Sequence, residues 1–473
     1  MKIPARNIVG WVAVALIALI GSNPLLSLLA VTVLGLGFVL LWRPKVSPIL
    51  FFVFGYQWLQ ASTKVFWGNL LGIGLDELSQ FGGQLASAVL LSLVGLVFLA
   101  LGLRWGAGPA RTRDAGFLRE DVFAQPPNLW LKLYLVAFVV ATVAQLGADL
   151  APGVSQPLLA VATLKWAFYW IFTYVTFTRP TGLRRLWILV FSFELALGLG
   201  GYFSDFRTIL VMTILALIPA GLKLNILRII SLVGVILLTV VLGIVWTAIK
   251  PEYRDFLNKG ERAQVVYVTY ADGLAYAATL ISALDDATVK RAANDLADRI
   301  SYVDFFARVV DYVPSVRPYE NGAIWGDALI RPFMPRLFFP EKSVINDSDR
   351  TNEFTGVRVA SADEGASIGI GYMAESYIDF GPYFMMIPIL LLGWTLGRFN
   401  RWISSYPTTR GLLGAGLSMA TLYPAAQFET SITKLIGGLV VTMLICWIVA
   451  RWVIPLFYYK KNGKIDLSKK ARQ

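Results

Sequence analysis

Residues 331–383 read RPFMPRLFFPEKSVINDSDRTNEFTGVRVASADEGASIGIGYMAESYIDFGPY and close the only long polar segment of an otherwise apolar chain. The stretch begins with Arg331 and Arg336, which are set among prolines, and ends in a glycine-rich part that holds Glu375 and Asp379. In a water-exposed loop such residues can serve solubility alone. Between membrane spans, several cations together with several carboxylates are better explained as a polyanion site with a proton acceptor nearby.

The composition places the chain among integral membrane proteins. It is 56% hydrophobic and 15% charged, with a mean hydropathy of +0.63. Apolar runs of roughly 17–22 residues recur, which is the length that crosses a bilayer core as a helix. We therefore predict an all-α integral membrane protein, a bundle of about 12 transmembrane helices with one large helical extracytoplasmic loop. The predicted spans lie near 8–22, 24–42, 47–62, 82–103, 129–147, 158–178, 185–202, 205–221, 226–248, 383–397, 411–427 and 435–456.

The net charge of +12 suggests nucleic acid at first sight, but its distribution follows membrane topology. Lysines and arginines cluster in alternate loops, whereas the loops at 21–23, 147–156 and 202–206 contain none. Because cytoplasmic loops carry the surplus of Lys and Arg, both termini are predicted to be cytoplasmic and residues 249–382 to lie on the outer face. No nucleic-acid partner is expected.

These patterns divide the chain into four regions. They are an N-terminal transmembrane bundle of about nine spans (1–248), a large periplasmic loop with amphipathic helices (249–382), about three C-terminal spans (383–456) and a basic cytoplasmic tail (457–473).

One amphipathic helix is predicted from Asp286 to Val313, where apolar residues follow a three-four spacing. Asp285 or Asp286 is the expected N-cap, and Pro314 is expected to end the helix. Asp304 and Arg308 are four residues apart, which predicts an ion pair on the polar face. Packing on neighbouring helices is favoured over lying on the membrane surface.

Lys165 and Glu194 are charges inside predicted adjacent spans. Antiparallel neighbours can bring them together at similar depth. A structural ion pair is favoured over a catalytic role.

Several kinds of site are excluded by residue counts and motifs. The chain has one cysteine, Cys446, and no histidine. It contains no Walker A loop, no complete dinucleotide fingerprint, no HExxH and no GxSxG. No carboxylate cluster demands a metal ion, so neither a cofactor nor a metal site is predicted.

Arg207 follows Asp205 at the outer mouth of the eighth predicted span. The preceding glycines, Gly198, Gly200 and Gly201, allow close approach by a substrate. A ligand-binding role for Arg207 and snorkelling to lipid headgroups are equally favoured.

Arginines around the prolines of 331–336 can present planar forks to phosphate oxygens, since the prolines fix an extended turn. Lys342 adds a point charge, and Arg358 follows in the same loop. A ligand-binding role is favoured here over a solvated loop.

Four carboxylates of this loop are candidate bases: Asp363, Glu364, Glu375 and Asp379. Since the chain has no histidine, a proton released by a sugar hydroxyl would pass to a carboxylate. Two or three of the four are expected to be structural, and Asp363 or Glu364 is also a plausible helix start.

At these residues the chain resembles the polytopic O-antigen and exopolysaccharide repeat-unit polymerases, the Wzy-type family. Three stretches carry the resemblance: the glycine-rich approach to Arg207, the segment MPRLFFPEKS (334–343), and the segment SIGIGYMAESYIDFGPYF (367–384) that leads into a span. The resemblance in topology covers the whole chain, whereas the resemblance in motifs covers about 60 residues.

The resemblance implies a metal-independent GT-C-like glycosyltransferase of the bacterial inner membrane with a periplasmic active site. It would move a growing glycan from undecaprenyl diphosphate onto another lipid-linked repeat unit. Its partners would include membrane lipids and a chain-length regulator and flippase of the same pathway. The residues that would hold the diphosphate are Arg207, Arg331, Arg336, Lys342 and Arg358; Glu375, Asp363 or Glu364 would accept the proton, and Asp205 and Tyr372 would contact substrate.

Three other functions remain open at this point. A lipid-linked glycan ligase would use similar parts, but the absence of histidine counts against it. A lipid-linked oligosaccharide flippase or other transporter predicts ionisable residues along a path through the bundle. A non-catalytic assembly scaffold is the third.

Overall fold

The structure is a computed structural model, and within it every regular element of the described residues is helical, as expected for an all-α protein. It describes residues 5–455 apart from 110–117, 119, 181, 200–205, 222–225, 261–265, 336, 337, 340, 343, 344 and 361–366.

In the described part of the chain, the helices of eight or more residues are numbered α1 to α19 in chain order. The first ten are α1 (Ala5–Ala18), α2 (Pro24–Leu41), α3 (Ile49–Leu71), α4 (Leu85–Ala107), α5 (Pro127–Leu150), α6 (Ser155–Thr163), α7 (Lys165–Thr178), α8 (Arg184–Leu199), α9 (Phe206–Leu217) and α10 (Ile226–Leu257). The others are α11 (Tyr270–Ser282), α12 (Asp286–Ser301), α13 (Val303–Tyr312), α14 (Ala323–Ile330), α15 (Asp347–Thr355), α16 (Tyr372–Phe384), α17 (Met386–Ser405), α18 (Leu412–Leu422) and α19 (Ile432–Ile448).

Five helical stretches of the described chain are long and apolar enough to cross a membrane. They are α2, α4, α5, the stretch Ser155–Thr178 that joins α6 to α7, and Ile432–Val453, which begins with α19. A sixth is added if α16 and α17 count as one span, so the predicted number of about twelve is not reached. Several predicted spans form shorter helices, with 16 residues in α8, 12 in α9 and 11 in α18. A predicted span near 47–62 lies in α3, which carries Gln57, Gln60 and Lys64.

α16 and α17 meet at a sharp bend of 118°. Gly381 adopts φ 68° there, and Pro382 follows it. Proline disfavours helical geometry in the residue before it, and the positive φ suits glycine, so the bend is built into these two residues. The polar segment therefore ends in α16, and after the bend α17 packs alongside α4.

Four glycines bring α4 and α17 into backbone contact. They form a Gly-x-x-x-Gly pair on each helix, Gly102 with Gly106 and Gly393 with Gly397. A Cβ atom on Gly102 would overlap the carbonyl oxygen of Leu390, and one on Gly397 would overlap that of Leu103. Small residues at this spacing are typical of closely packed membrane helices. Rising residue numbers on α4 face rising numbers on α17, so the two helices run parallel, as expected for the fourth and tenth predicted spans.

The two ends of α4 have different surroundings. Before its first turn, Gly83 lies against the backbone of Ala307 and Arg308 in α13. After its last turn, the Gly108 carbonyl accepts hydrogen bonds from Arg43 and Arg104, and Arg401 lies against the same glycine. The polar segment 249–382 and the arginine-rich loops thus contact opposite ends of a helix about 35 Å long at 1.5 Å per residue.

The predicted helix 286–313 is two helices, α12 and α13, separated by Tyr302 with φ 43°. The N-cap prediction is confirmed, because Asp285 Oδ1 accepts a hydrogen bond from the Thr288 N–H at 2.8 Å. The predicted Asp304–Arg308 pair is wrong. Asp304 is buried and pairs with Lys64 of α3 at 2.6 Å, while Arg308 pairs with Asp311. The break at Tyr302 changes which residues of the segment face the bundle.

The predicted pairing of Lys165 and Glu194 is confirmed. Lys165 Nζ lies 3.0 Å from Glu194 Oε2. The Tyr134 hydroxyl donates to the other carboxylate oxygen at 2.6 Å, so both oxygens of the buried Glu194 have partners.

Candidate functional site

A polar stripe on α3 organises the end of the bundle that faces the polar segment. Tyr56, Gln60 and Lys64 recur every four residues, which puts them on one helix face. Lys64 is buried and pairs with Asp304 at 2.6 Å and with Asp298 at 3.1 Å. This stripe therefore ties α12 and α13 to α3.

Two glutamines of α3 hold the turn between α18 and α19. Gln57 Nε2 donates to the Ala425 carbonyl at 2.8 Å, and Gln60 Oε1 accepts from the Phe428 N–H at 2.9 Å. Gln60 Nε2 donates to Glu429 Oε2 at 2.7 Å. Glu429 is half-buried, and Gln60 holds both its carboxylate and the backbone N–H of the preceding residue, Phe428.

The glycine-rich approach to α16 runs alongside this turn. The Tyr372 N–H donates to the Thr430 carbonyl at 2.9 Å. Gly371 has φ 85°, and a Cβ there would overlap the Phe428 carbonyl. Gly369 lies close to Glu429, where a Cβ would meet the carbonyl oxygen at 3.0 Å. The glycines of SIGIGY thus permit a close backbone approach that positions Glu429.

Arg207 connects Tyr56 with a group of four cations around Lys250. Arg207, at the start of α9, is hydrogen-bonded to Tyr56, and Glu429 lies within electrostatic reach of the same tyrosine. Lys250 of α10 lies within electrostatic reach of Arg299, Arg254 and Arg207. These side chains come from α9, α10 and α12, which are distant in sequence and converge here.

Burial lowers the pKa of Lys250 to about 8, and the nearby charges of Arg299, Arg254 and Arg207 add to the effect. Like charges held close together disfavour each other's protonated state. A polyanion placed among them would relieve this repulsion. The cluster therefore has the electrostatics of an anion site.

Tyr302 lies within electrostatic reach of Glu429. Burial raises the pKa of Tyr302, and the charges of Glu429 and Asp347 raise it further. The phenol therefore stays protonated at neutral pH. Its position at the break between α12 and α13 brings the polar segment over the Glu429 turn.

The predicted base Glu375 lies at the start of α16 and is fully buried. Arg350 Nη1 contacts one carboxylate oxygen at 2.5 Å, and the Ile432 N–H donates to the other. This arrangement joins α15, α16 and α19. Glu375 fits a structural role more directly than proton transfer, because a base has to reach the reacting hydroxyl.

Two other predicted residues of α16 are also enclosed. Asp379 accepts hydrogen bonds from the N–H groups of Ile324 and Trp325 at 3.1 and 2.8 Å, so it caps α14. Tyr372 is fully buried, and its hydroxyl donates to Gln57 Oε1 at 2.7 Å. Asp379 thus connects α16 to α14, and Tyr372 connects α16 to α3.

The predicted arginine loop forms a separate turn after α14. Arg331 Nε pairs with Asp327 at 2.6 Å. Lys342 Nζ donates to the carbonyls of Arg331 and Met334 at 2.7 and 2.9 Å, which closes the turn. Arg358 is exposed. Among the described residues that were predicted to bind phosphate, Arg207 belongs to the cation cluster.

Four predicted site residues lie outside the described residues. They are Asp205, Arg336, Asp363 and Glu364.

Sequence reasoning missed Tyr56, Gln60, Lys250, Arg299 and Glu429. Two signals were present. Polar residues repeat every four positions in the predicted span near 47–62 and just beyond it, which is costly in a membrane and hence informative. Lys250 and Arg254 are cations at the outer end of a predicted span, where the topological charge bias is against them.

The comparisons with known proteins give a family and no function. Residues 119–454, more than two thirds of the chain, match the family described as "Domain of unknown function (DUF8712)". The matched region includes Arg207, Lys250, Arg299 and Glu429, whereas α3 precedes it. No match is found among curated proteins or among solved structures. The chain therefore belongs to the family described as Domain of unknown function (DUF8712).

Proposed function

We propose that this protein polymerises undecaprenyl-diphosphate-linked oligosaccharide repeat units into a polysaccharide. It would act as a glycosyltransferase at the periplasmic face of the bacterial inner membrane, with the polar segment 249–382 on that side. The sequence resemblance to Wzy-type polymerases motivates the reaction. The single observation that supports the site is the cation cluster beside a half-buried carboxylate.

The cluster provides what departure of a lipid diphosphate requires. In the reaction a sugar hydroxyl oxygen bonds to the anomeric carbon, and the bond from that carbon to the diphosphate oxygen breaks. Negative charge then builds up on the diphosphate. Arg207, Lys250 and Arg299 would stabilise that charge, because cations already placed where negative charge develops lower the energy of the transition state.

We assign the base to Glu429 in place of Glu375. Glu429 is half-buried, lies within electrostatic reach of Tyr56 and Tyr302, and is held by Gln60 at 2.7 Å. It would accept the proton of the attacking hydroxyl. Glu375 is enclosed by Arg350 and the Ile432 N–H, and so would keep α15, α16 and α19 in register.

The test is reconstitution of purified protein in vesicles with a synthetic undecaprenyl-diphosphate repeat unit. Polymerase activity gives a ladder of lipid-linked glycans that are longer by whole units. A flippase changes the sidedness of the substrate without a ladder, and a ligase needs a different acceptor. Vesicles that show neither a ladder nor glycan transfer to the lipid-linked repeat unit would contradict the proposal.

Paired variants test the site. Arg299→Ala should reduce ladder formation by roughly tenfold or more, the scale expected when one charge-stabilising donor is lost. Arg291→Ala is the matched control, since Arg291 is also an exposed arginine of α12. Glu429→Gln should reduce the rate by roughly a hundredfold or more, the scale of general-base catalysis. An unchanged rate in Glu429→Gln would remove the base assignment.

A further inference from the structure

A groove of about 570 Å³ lies at the opposite end of the bundle from the cation cluster. It opens where α4 ends and α17 continues. Its polar lining is dominated by Arg398 and Arg401, and its aromatic residues are Trp105, Trp394, Trp402 and Tyr406. The proposed glycosyl transfer uses none of these residues.

The position of the groove follows from the tight contact of α4 with α17. Gly106 lies against the Trp394 carbonyl and the Arg398 N–H. Since the helices touch through backbone at this level, the tryptophans and arginines are displaced sideways. They form the walls of a groove along the outer surface of the helix pair.

One face of α17 changes in character along its length. Ile387, Leu391, Trp394 and Arg398 recur at helical spacing, and all four side chains are exposed. Leu391 and Arg398 are seven residues apart, or about 10 Å along the helix. A neighbouring row on α4 holds the exposed residues Leu101 and Trp105, and Trp105 is 67% exposed.

This order matches the depth profile of a membrane leaflet. Aliphatic side chains suit the acyl region, tryptophan is enriched at the interface, and arginine reaches the headgroups. The rings of Trp105 and Trp394 lie 6.4 Å apart and separate the aliphatic part from the arginines. The groove thus lies at the levels of the tryptophans and arginines, and the exposed aliphatic rows of α4 and α17 adjoin it.

Further positive charge surrounds the groove. Arg43 Nη2 donates to the Gly108 carbonyl at 2.6 Å, and Arg104 donates to the same oxygen. Arg401 lies beside the same glycine, where it would meet a Cβ atom, so three guanidinium groups surround Gly108. In the part of the chain that the structure describes, neither Arg398 nor Arg401 forms an ion pair.

We propose that this groove binds the phosphate headgroup of an anionic glycerophospholipid from the adjacent leaflet. Arg398 and Arg401 would hold the phosphate oxygens, and Trp105 and Trp394 would contact the glycerol level. Basic pockets between membrane helices are suited to such headgroups. The aliphatic row above the tryptophans favours a lipid over a soluble phosphate compound.

The test uses the purified full-length protein in detergent, titrated with phosphatidylglycerol or phosphatidylcholine of identical acyl chains and read out by native mass spectrometry. We expect phosphatidylglycerol to bind roughly tenfold or more tightly. Arg398→Ala with Arg401→Ala should weaken phosphatidylglycerol binding by roughly 25-fold, since each arginine near a headgroup contributes about fivefold. Equal binding by this variant and the wild type would overturn the proposal.

Two further arms make the result specific. The matched control is Lys290→Ala with Arg291→Ala, which removes two exposed cations from α12 and should leave the lipid preference unchanged. Glycerol phosphate carries the headgroup chemistry without acyl chains, and displacement of the lipid at equal concentration would overturn the lipid assignment. If the double variant does not give a monodisperse protein, the single variant Arg398→Ala replaces it, with an expected loss of roughly fivefold.

Discussion

Lys64 is the residue whose removal should destabilise the fold most directly. Its side chain is 2% exposed and lies between Asp304 and Asp298. Lys64→Met should lower the free energy of unfolding by about 3–5 kcal/mol, because Asp304 would remain buried without its cation. Thermal unfolding in detergent measures this, with Lys290→Met as the control for an exposed lysine. Equal unfolding temperatures for the two variants would contradict the buried pairing.

The pH dependence of the Lys64→Met variant gives a second prediction. Burial raises the pKa of Asp304, and the Lys64 charge opposes that rise. Without Lys64 the pKa of Asp304 should rise further. The folded protein would then accommodate the neutral carboxyl group of Asp304, whereas the buried carboxylate would destabilise it. Stability should then be present at low pH and fall as pH increases through the raised pKa. Adding Asp304→Asn should remove this fall, and a pH profile that stays the same would exclude Asp304 as its source.

Lys250 gives a binding prediction. Its pKa of about 8 means that it is about half protonated at pH 8 in the free protein. A bound diphosphate should raise that pKa, so binding should take up about half a proton from Lys250 at pH 8. Affinity should fall as pH rises above about 8. Calorimetry of a short-chain polyprenyl diphosphate in buffers of different ionisation enthalpy measures the uptake.

Lys250→Arg is the matched control, because arginine keeps its charge across this range. Subtracting its proton uptake removes the titration of the diphosphate itself. Equal proton uptake by the wild type and Lys250→Arg would mean that Lys250 takes no part in anion binding.

Among the elements, the α4–α17 pair depends on glycines at backbone contact. Gly102→Ala would place a methyl group on the Leu390 carbonyl, and Gly397→Ala would place one on that of Leu103. Because backbone atoms cannot rotate away, the helices would have to separate. We expect each change to lower stability by about 1–3 kcal/mol, the usual cost of overpacking. Thermal unfolding in detergent measures this.

Gly438→Ala supplies the control. Gly438 also lies inside a helix, α19, but has open space where a Cβ would be added. Alanine there should be neutral or stabilise by up to about 1 kcal/mol, since it is the better helix former. Equal loss of stability at Gly438 and Gly102 would mean that helix contact is not the cause.

The boundaries of α12 and α13 show what the local sequence pattern can and cannot predict. The apolar pattern of 286–313 predicted a helix and its Asp285 cap, because both depend on neighbouring residues. It did not predict the break at Tyr302. It also misplaced Asp304, whose partner Lys64 is 240 residues away in sequence. The sequence alone does not distinguish an aspartate that forms a surface pair within its own helix from one that is buried against α3.

At the scale of the whole molecule, the charge pattern predicts that the polar segment and the arginine-rich loops face opposite sides of the membrane. Single cysteines at Lys290 and Ser405, in a chain with Cys446→Ser, test this. A membrane-impermeable maleimide added to intact cells that have a permeable outer envelope should label Lys290→Cys and not Ser405→Cys. Disrupted membranes should label both. The reverse pattern would place the cation cluster on the cytoplasmic side.

The sequence by itself determined the helical class, the apolar segments and the loops in which positive charge accumulates. These follow from composition and local periodicity, since a chain in lipid has to satisfy its backbone groups within each segment. Only the tertiary structure decided that Lys250, Arg299 and Glu429 join Arg207, that Glu375 is enclosed by Arg350, and that Arg398 and Arg401 line a groove beside paired tryptophans. Such neighbours come from helices far apart along the chain, and no local pattern records which of them will touch.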